Sequence, residues 1–233
     1  MRSMVNGRIV EIFRSIQGEG PYAGVAQAFV RLFECNMHCV WCDTPQSIGD
    51  GKKEFITYTP EELFKAIGPL TKNIHSVSIT GGEPLIQVDF LKAFLTLLKK
   101  HKFTTHLDTN GTLPENLRAL LPLIDIIAMD MKLPSSTRQK AFWKEHEDFV
   151  RIARKKELFV KMVMTASTSW PDFKRAIQIL QRQAPKTWVY IQPNYTELKT
   201  GVIPHCLALY EKAVAMYPFV KVFPQVHKIM KIQ

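Results

Sequence analysis

Apolar runs of strand length alternate with helix-period segments along most of the 233 residues, and this alternation restricts the fold more than any other feature. The runs at 26–33, 74–80, 103–108, 124–130, 158–164, 187–192 and 219–223 read as strands. Between them, 60–68, 88–101, 114–121, 139–154, 171–183 and 204–217 read as helices. In the second helix Leu91, Phe94, Leu95 and Leu98 follow the i, i+3, i+4, i+7 spacing of a buried stripe. Pro60, Pro114, Pro171 and Pro204 stand near helix starts, where a missing N–H costs nothing. Strand–helix units at this repeat imply a parallel α/β sheet, open or closed into a barrel. The units are too few for a complete eight-fold barrel, and no linker, repeat or low-complexity tract divides the chain. One domain over residues 1–233 is expected.

Hydrophobic residues make up 46% and charged residues 22%, enough to bury a full core and incompatible with a disordered tail, a collagen or a disulfide-stapled miniprotein. Asp125, Lys132 and similar charges interrupt every apolar run before it reaches the ~20 residues of a membrane helix. The first residues carry Arg2, Arg8 and Glu11 without the apolar stretch of a secretory signal, so a cytoplasmic location with reduced thiols is expected. The formal charge of +10 suits an anionic ligand or partner, but the basic residues are dispersed and no nucleic-acid module accompanies them.

Polar and glycine-rich residues gather where the strands end. Thr80-Gly81-Gly82-Glu83-Pro84 follows one strand, Asp108-Thr109-Asn110-Gly111 another, Asp130-Met131-Lys132 a third and Gln192-Pro193-Asn194-Tyr195 a fourth. In parallel α/β folds the carboxyl ends of the strands form the active face. Any one of these segments is an ordinary turn; four on one face point to a site.

Three of the four cysteines fall within eight residues, Cys35-Asn36-Met37-His38-Cys39-Val40-Trp41-Cys42. A loop with these gaps can wrap three thiolates around one face of a 4Fe–4S cubane, leaving one iron open to a small molecule. The rival is a zinc site with His38 or a distant fourth ligand, although the second paired ligand motif usual for structural zinc is missing. Cys206 lies on the 204–217 helix and reads as a small core residue.

Cys-x3-Cys-x2-Cys with an aromatic before the last cysteine, followed by Gly-Gly-Glu-Pro after the next strand, resembles the radical S-adenosylmethionine superfamily. Glu11-Ile12-Phe13, Ser15-Ile16-Gln17-Gly18-Glu19-Gly20, Phe29-Val30-Arg31, Cys42-Asp43-Thr44 and the tail Gln225-Val226-His227-Lys228 are similar to the 7-carboxy-7-deazaguanine synthase family. The resemblance covers nearly the whole chain. It implies an incomplete, partial TIM-type barrel of about six parallel strands. It also implies a carbon–nitrogen lyase that converts 6-carboxy-5,6,7,8-tetrahydropterin to 7-carboxy-7-deazaguanine with loss of ammonia, in the biosynthesis of queuosine and other 7-deazapurines. The cofactors so implied are a 4Fe–4S cluster, S-adenosylmethionine, whose reductive cleavage yields a hydrogen-abstracting deoxyadenosyl radical, and magnesium.

The resemblance assigns roles along the chain. The segment 11–34 would bind substrate, 35–44 would be the cluster loop, and the tail 224–233 would reach the substrate. Cys35, Cys39 and Cys42 would hold the cluster, and Thr44 the magnesium, an ion that prefers oxygen ligands and retains waters. Trp41, Cys42, Asp43, Gly82, Asp130, Met131, Lys132, Gln192, Pro193, Asn194 and Tyr195 would surround S-adenosylmethionine. Many relatives have Ser-Pro-Lys where this chain has Asp130-Met131-Lys132, so only the lysine is shared. Ile16, Gln17, Gly18, Glu19, Arg31, Thr80 and Gln233 would touch the pterin, Arg31 by a bidentate fork onto its carboxylate. Asp108, Asn110 and His227 are further nominees. The implied partners are the small-molecule pterin, a second copy in a homodimer and a flavodoxin-type reductant, with no direct nucleic acid and no membrane. A glycyl-radical-enzyme activase would share the cysteine spacing but not Gln-Gly-Glu-Gly or the tail. A non-catalytic iron–sulfur sensor would have no use for four polar strand ends.

Overall fold

The computed structural model describes residues 5–49 and 55–232. Strands β1 (Gly7–Ile16) and β2 (Ala26–Leu32) pair antiparallel, and the short β3 (Ile56–Tyr58) adds to the other side of β1. Helix α1 (Pro60–Ile67) then leads to β4 (Ser76–Gly81), α2 (Val88–Lys100) to β5 (Thr105–Thr109), and α3 (Pro114–Leu120) to β6 (Ile126–Asp130). The short α4 (Pro134–Thr137) and α5 (Trp143–Ala153) precede β7 (Glu157–Met164), α6 (Trp170–Gln183) precedes β8 (Val189–Pro193), and α7 (Val202–Val214) precedes β9 (Val220–Val222). A last helix, α8 (Val226–Met230), ends the described chain. The nine strands form one sheet in the order β3-β1-β2-β4-β5-β6-β7-β8-β9, parallel from β2 to β9. The sheet is open, with β3 and β9 at its edges.

Local chemistry explains the boundaries. Thr59 caps α1 in a reciprocal box: its side chain accepts from the Glu62 N–H at 3.2 Å while Glu62 accepts from the Thr59 N–H at 2.8 Å. Helix α5 starts at Trp143, not at 139, because Arg138 takes a left-handed conformation (φ 56°) that ends α4. Helix α7 begins two residues before Pro204, behind left-handed Gly201. Among the described residues no helix is long and apolar enough to cross a membrane.

Parallel strands bury both faces, so what each face carries decides what the sheet does. Val77, Ile79, Leu107, Ile127, Met129, Val160, Met162 and Ile191 pack outward with Leu91, Phe94, Leu95 and Leu98 of α2 and the apolar faces of the other helices. Each of those α2 side chains is at most 1% exposed, and burying one contributes roughly 1.5–3 kcal/mol. The inner face is different. Its amino end is plugged by Ile126, Ala128, Phe159 and Tyr190 with Tyr22 and Phe223. Its carboxyl end carries Arg31, Thr80, Asp108, Asp130 and Lys161, with Arg31 beside Thr80 and Asp130 beside Lys161 in register. The inner face of this incomplete barrel is thus a cup with an apolar base and a charged mouth.

The turn after β1 fits this cup only through its glycines. A Cβ on Gly18 would collide with His227, and one on Gly20 with the Phe159 ring, where Gly20 also sits at φ 62°. Gly20→Ala should therefore combine left-handed strain of ~1–2 kcal/mol with overpacking of ~1–3 kcal/mol. Gly24→Ala, at φ 98° with open space around the new methyl, should suffer the first cost alone. Urea unfolding of both variants checks this; equal losses of stability would contradict it.

Candidate active site

A cavity of about 790 Å³ opens at the carboxyl ends of the strands. It is lined by the three clustered cysteines and by Ile16, Gln17, Gly18, Glu19, Arg31, Trp41, Asp43, Thr44, Thr80, Gly82, Asp130, Lys132, Asn194 and Tyr195. Asp108, Asn110 and His227 line it as well. Segments far apart in the chain therefore converge on one space.

The cluster loop is tied down on three sides. Asn36 donates to Thr112 Oγ1 and accepts from the Asn110 amide, both at 2.8 Å. On the other flank Gln139 Nε2 donates to His38 O at 2.9 Å, the Val40 N–H donates to Thr137 O at 3.3 Å, and Trp41 Nε1 donates to Ser136 O at 2.9 Å. Lys228 of α8 meets Asp43 at 2.8 Å. At the base, the Glu83 N–H donates to Glu34 O at 2.8 Å, which joins Gly-Gly-Glu-Pro to the start of the loop. Glu83 itself is buried and accepts from Leu85 N–H, Thr109 Oγ1 and Asn110 N–H, with burial pushing its carboxyl up to about 7.

The chemistry of the loop fits a metal cluster. Cys35, Cys39 and Cys42 are free, partly buried thiols on the cavity wall, and burial pushes Cys35 up to about 11 and Cys39 upward too. The Cys35 and Cys39 thiols stay protonated until a cationic centre displaces the protons, which is how thiolate ligands to metals form. For the zinc alternative, His38, the nearby candidate for a fourth ligand, is exposed and lies outside the cavity lining. Cys206 is fully buried in the core on α7, as the sequence suggests.

Beside the loop, Lys132 Nζ lies 2.6 Å from Asp130 and 4.5 Å from the centroid of the Trp41 ring. Burial opposes its charge, but the Asp130 carboxylate more than compensates and raises its pKa. Met131, between them, points the other way: it is 1% exposed and packed in the helix-side core. The period of two along the strand separates it from its neighbours. Pro193 is buried at the end of β8 and also lies off the lining. Gln192 is fully buried in register with cavity-lining Val163, and neither of its amide atoms has a partner among the described residues. Asn194 is 6% exposed, and its amide is engaged by Glu197 at 3.1 Å. Thr44 stands at the rim, its carbonyl accepting from Ser47 Oγ at 2.7 Å and its hydroxyl 3.9 Å from Cys42 Sγ. Gln233 lies outside the described residues.

On the cavity wall formed by the first two strands, Phe13 and Phe29 stack with centroids 4.9 Å apart and planes 5° off parallel. Arg31 lies beside them, its Nε 2.5 Å from Glu11. Gln17 is buried with its amide used inside the protein: Nε2 donates to Gln27 at 3.0 Å and Oε1 accepts from the Glu19 N–H at 3.1 Å. It braces the turn that aims Glu19. Glu19 accepts from Gln225 Nε2 at 2.7 Å and is ion-paired with Lys161, whose Nζ also lies 2.9 Å from Asp108. Burial opposes the Glu19 charge, but Lys161 and Gln225 hold its pKa down at about 2. Lys161 and Ser136 were not picked out from the sequence. The signal for Lys161 was present, a lone charge at an inward position of the apolar run Leu-Phe-Val-Lys-Met-Val-Met.

Residues 31–168 match the radical SAM superfamily. The chain is 31% identical to the 7-carboxy-7-deazaguanine synthase of Geobacter sulfurreducens, across 98% of each chain. It is 30% identical to that of Archaeoglobus fulgidus, across 98% of this chain and 100% of the other. The crystal structure of QueE from Escherichia coli superposes with a TM-score of 0.63 over 95% of each chain at 20% identity, a likeness of fold. With its cysteine loop, its charged cup and relatives matched from end to end, the chain belongs to the 7-carboxy-7-deazaguanine synthase family of the radical SAM superfamily.

Proposed function

We propose that this cavity converts 6-carboxy-5,6,7,8-tetrahydropterin to 7-carboxy-7-deazaguanine with loss of ammonia. The observation that carries the reading is the convergence, in one cavity, of a three-thiol rim with Arg31, Glu19, Asp108 and a pair of stacked aromatic rings. A flat heterocycle with a carboxylate at one end and ring N–H donors at the other has complementary groups here. The enclosed cup suits a small molecule rather than the protein substrate of an activase.

In this reading one domain does the work, with 11–34 and 224–233 serving the substrate and 35–44 serving the cluster. Cys35, Cys39 and Cys42 would hold a 4Fe–4S cluster. Trp41, Asp43, Gly82, Asp130, Lys132, Asn194 and Tyr195 would surround S-adenosylmethionine, with Met131 and Pro193 offering backbone only and Gln192 an amide that still needs partners. Cluster and S-adenosylmethionine together supply one-electron chemistry; the protein supplies orientation and shielding. Arg31, anchored by Glu11, presents its remaining N–H groups to the substrate carboxylate. The Gln17-braced turn presents Glu19 and the Gly18 backbone to the ring edge. His227, whose charged form burial disfavours, closes over Gly18, and the Val226 N–H donates to Gly18 O at 2.9 Å, so α8 roofs the pocket. Thr44 would give magnesium one hydroxyl, leaving room for waters and the substrate's oxygens. Reduced thiols suit the cytoplasm, the basic surface suits an acidic flavodoxin-type reductant, and a homodimer is the assembly proposed.

Anaerobic incubation of cluster-loaded protein with the pterin, S-adenosylmethionine, magnesium and dithionite, followed by mass spectrometry, tests the reading. The deazapurine acid is expected; cleavage of S-adenosylmethionine with the pterin returned unchanged would refute it. Within that assay, Cys35→Ala, Cys39→Ala and Cys42→Ala should each abolish cluster and product, whereas Cys206→Ala should keep both. Arg31→Lys retains charge but loses the fork, so turnover should fall at least tenfold, about 1.4 kcal/mol, with uncoupled cofactor cleavage preserved. Normal substrate kinetics in Arg31→Lys would remove it from the site. Thr44→Val should blunt the magnesium dependence with the cluster spectrum unchanged, and Thr44→Ser should restore it. An unaltered magnesium titration in Thr44→Val would reduce that residue to a turn former.

A further inference from the structure

Lys161 is 4% exposed, in the middle of an apolar strand, and its ammonium joins two walls of the cup. Glu19 comes from the turn after β1 and Asp108 from β5, and Lys161 contacts both. The other charged and titratable groups that face this point are Asp130 and Lys132, paired with each other at 2.6 Å, and His106 and His227, whose charged forms burial disfavours. Three carboxylates, Glu19, Asp108 and Asp130, thus share two ammonium groups, and Glu19 and Asp108 both pair with Lys161. Buried ion pairs stabilise a fold weakly, and apolar replacement of a balanced one is often neutral. Here an apolar replacement would leave buried Glu19 and half-buried Asp108 without the ammonium they share. The arrangement therefore serves the cavity more than the core.

We propose that Lys161 is a positioning residue that spans the cup and holds Glu19 and Asp108 as a fixed pair of acceptors for the N–H donors of a flat, donor-rich heterocycle. The identity of that heterocycle rests on the pterin reading above; the bridge itself does not. Gln225 adds a second restraint on Glu19, at 2.7 Å, so the tail and the strand hold the same carboxylate from two sides. Without the ammonium, Glu19 and Asp108 would share a proton, because like charges in one buried site raise one another's pKa.

Two measurements test this. In the pterin assay, Lys161→Met should lower kcat/KM at least tenfold, mainly through KM. The acid limb of its pH profile should move to higher pH by about one unit or more, because the carboxylates now ionise later. Cleavage of S-adenosylmethionine without substrate should fall less than product formation does. Lys161→Met/Asp108→Asn removes the facing charge and should return the limb toward the wild-type position while leaving KM high. Independently of any substrate, urea unfolding should show Lys161→Met losing stability relative to wild type as pH rises from 5 to 8, as the shared proton is forced off. The double variant should not show that trend, and it remains measurable if the single variant fails to fold. An unshifted pH limb in Lys161→Met together with a parallel pH dependence of stability would overturn the proposal. An equal loss of coupled and uncoupled reactions would do the same, reducing Lys161 to a packing residue. If wild type leaves the pterin unchanged but the unfolding trend holds, the function fails and the bridge stands.

Discussion

A parallel sheet buries both faces, and in this chain the inner face carries charge that must be satisfied there. Much of the remaining structure follows from that constraint. Lys161, Glu19 and Asp108 need one another, so the turn after β1 must enter the mouth of the cup. It can enter only where Gly18 and Gly20 leave room for His227 and Phe159. The tail is then drawn in by Gln225 on Glu19 and by the Val226 N–H on Gly18 O. One buried ion group thereby organises the two ends of the chain around the strands between them.

The opposite rim is organised by hydrogen bonds instead of charge. The cluster loop has little regular structure, yet Asn110, Thr112, Ser136, Thr137 and Gln139 bind its backbone and side chains. These partners lie after β5 and β6, so the helix-packed strands fix the loop from outside it. The loop backbone is thereby held from outside, and burial disfavours the bare thiolates of Cys35 and Cys39. Rigidity comes from the scaffold and affinity from the unsatisfied chemistry of the site.

The sequence made the parallel core legible because that core is apolar and periodic. The α2 stripe packs as its spacing suggests, and the strand runs from Ala26 to Phe223 all contain strands of the sheet. Strand β1 is not legible in the sequence because one of its faces forms the cavity wall: Glu11 and Phe13 line it, and no clean alternation of polar and apolar residues survives. The short β3 has only three residues with which to announce itself. Site residues carried by a dense motif, such as the cysteines and Gln-Gly-Glu-Gly, stand out locally. Lys161 did not, since its meaning depends on Glu19, 142 positions earlier, and on a sheet register that only the fold supplies. Met131 shows the converse: the segment was found, but strand periodicity turns its middle residue into the core.

The central proposal is that Cys35, Cys39 and Cys42 would hold a 4Fe–4S cluster able to bind S-adenosylmethionine. Electron paramagnetic resonance of the anaerobically reconstituted, dithionite-reduced protein, with and without S-adenosylmethionine, tests it most directly. The account predicts the signal of a reduced 4Fe–4S cluster whose g-values shift when S-adenosylmethionine is added, because the cofactor binds the open iron. A cluster signal unaffected by saturating S-adenosylmethionine, or an iron-free protein carrying zinc, would contradict it.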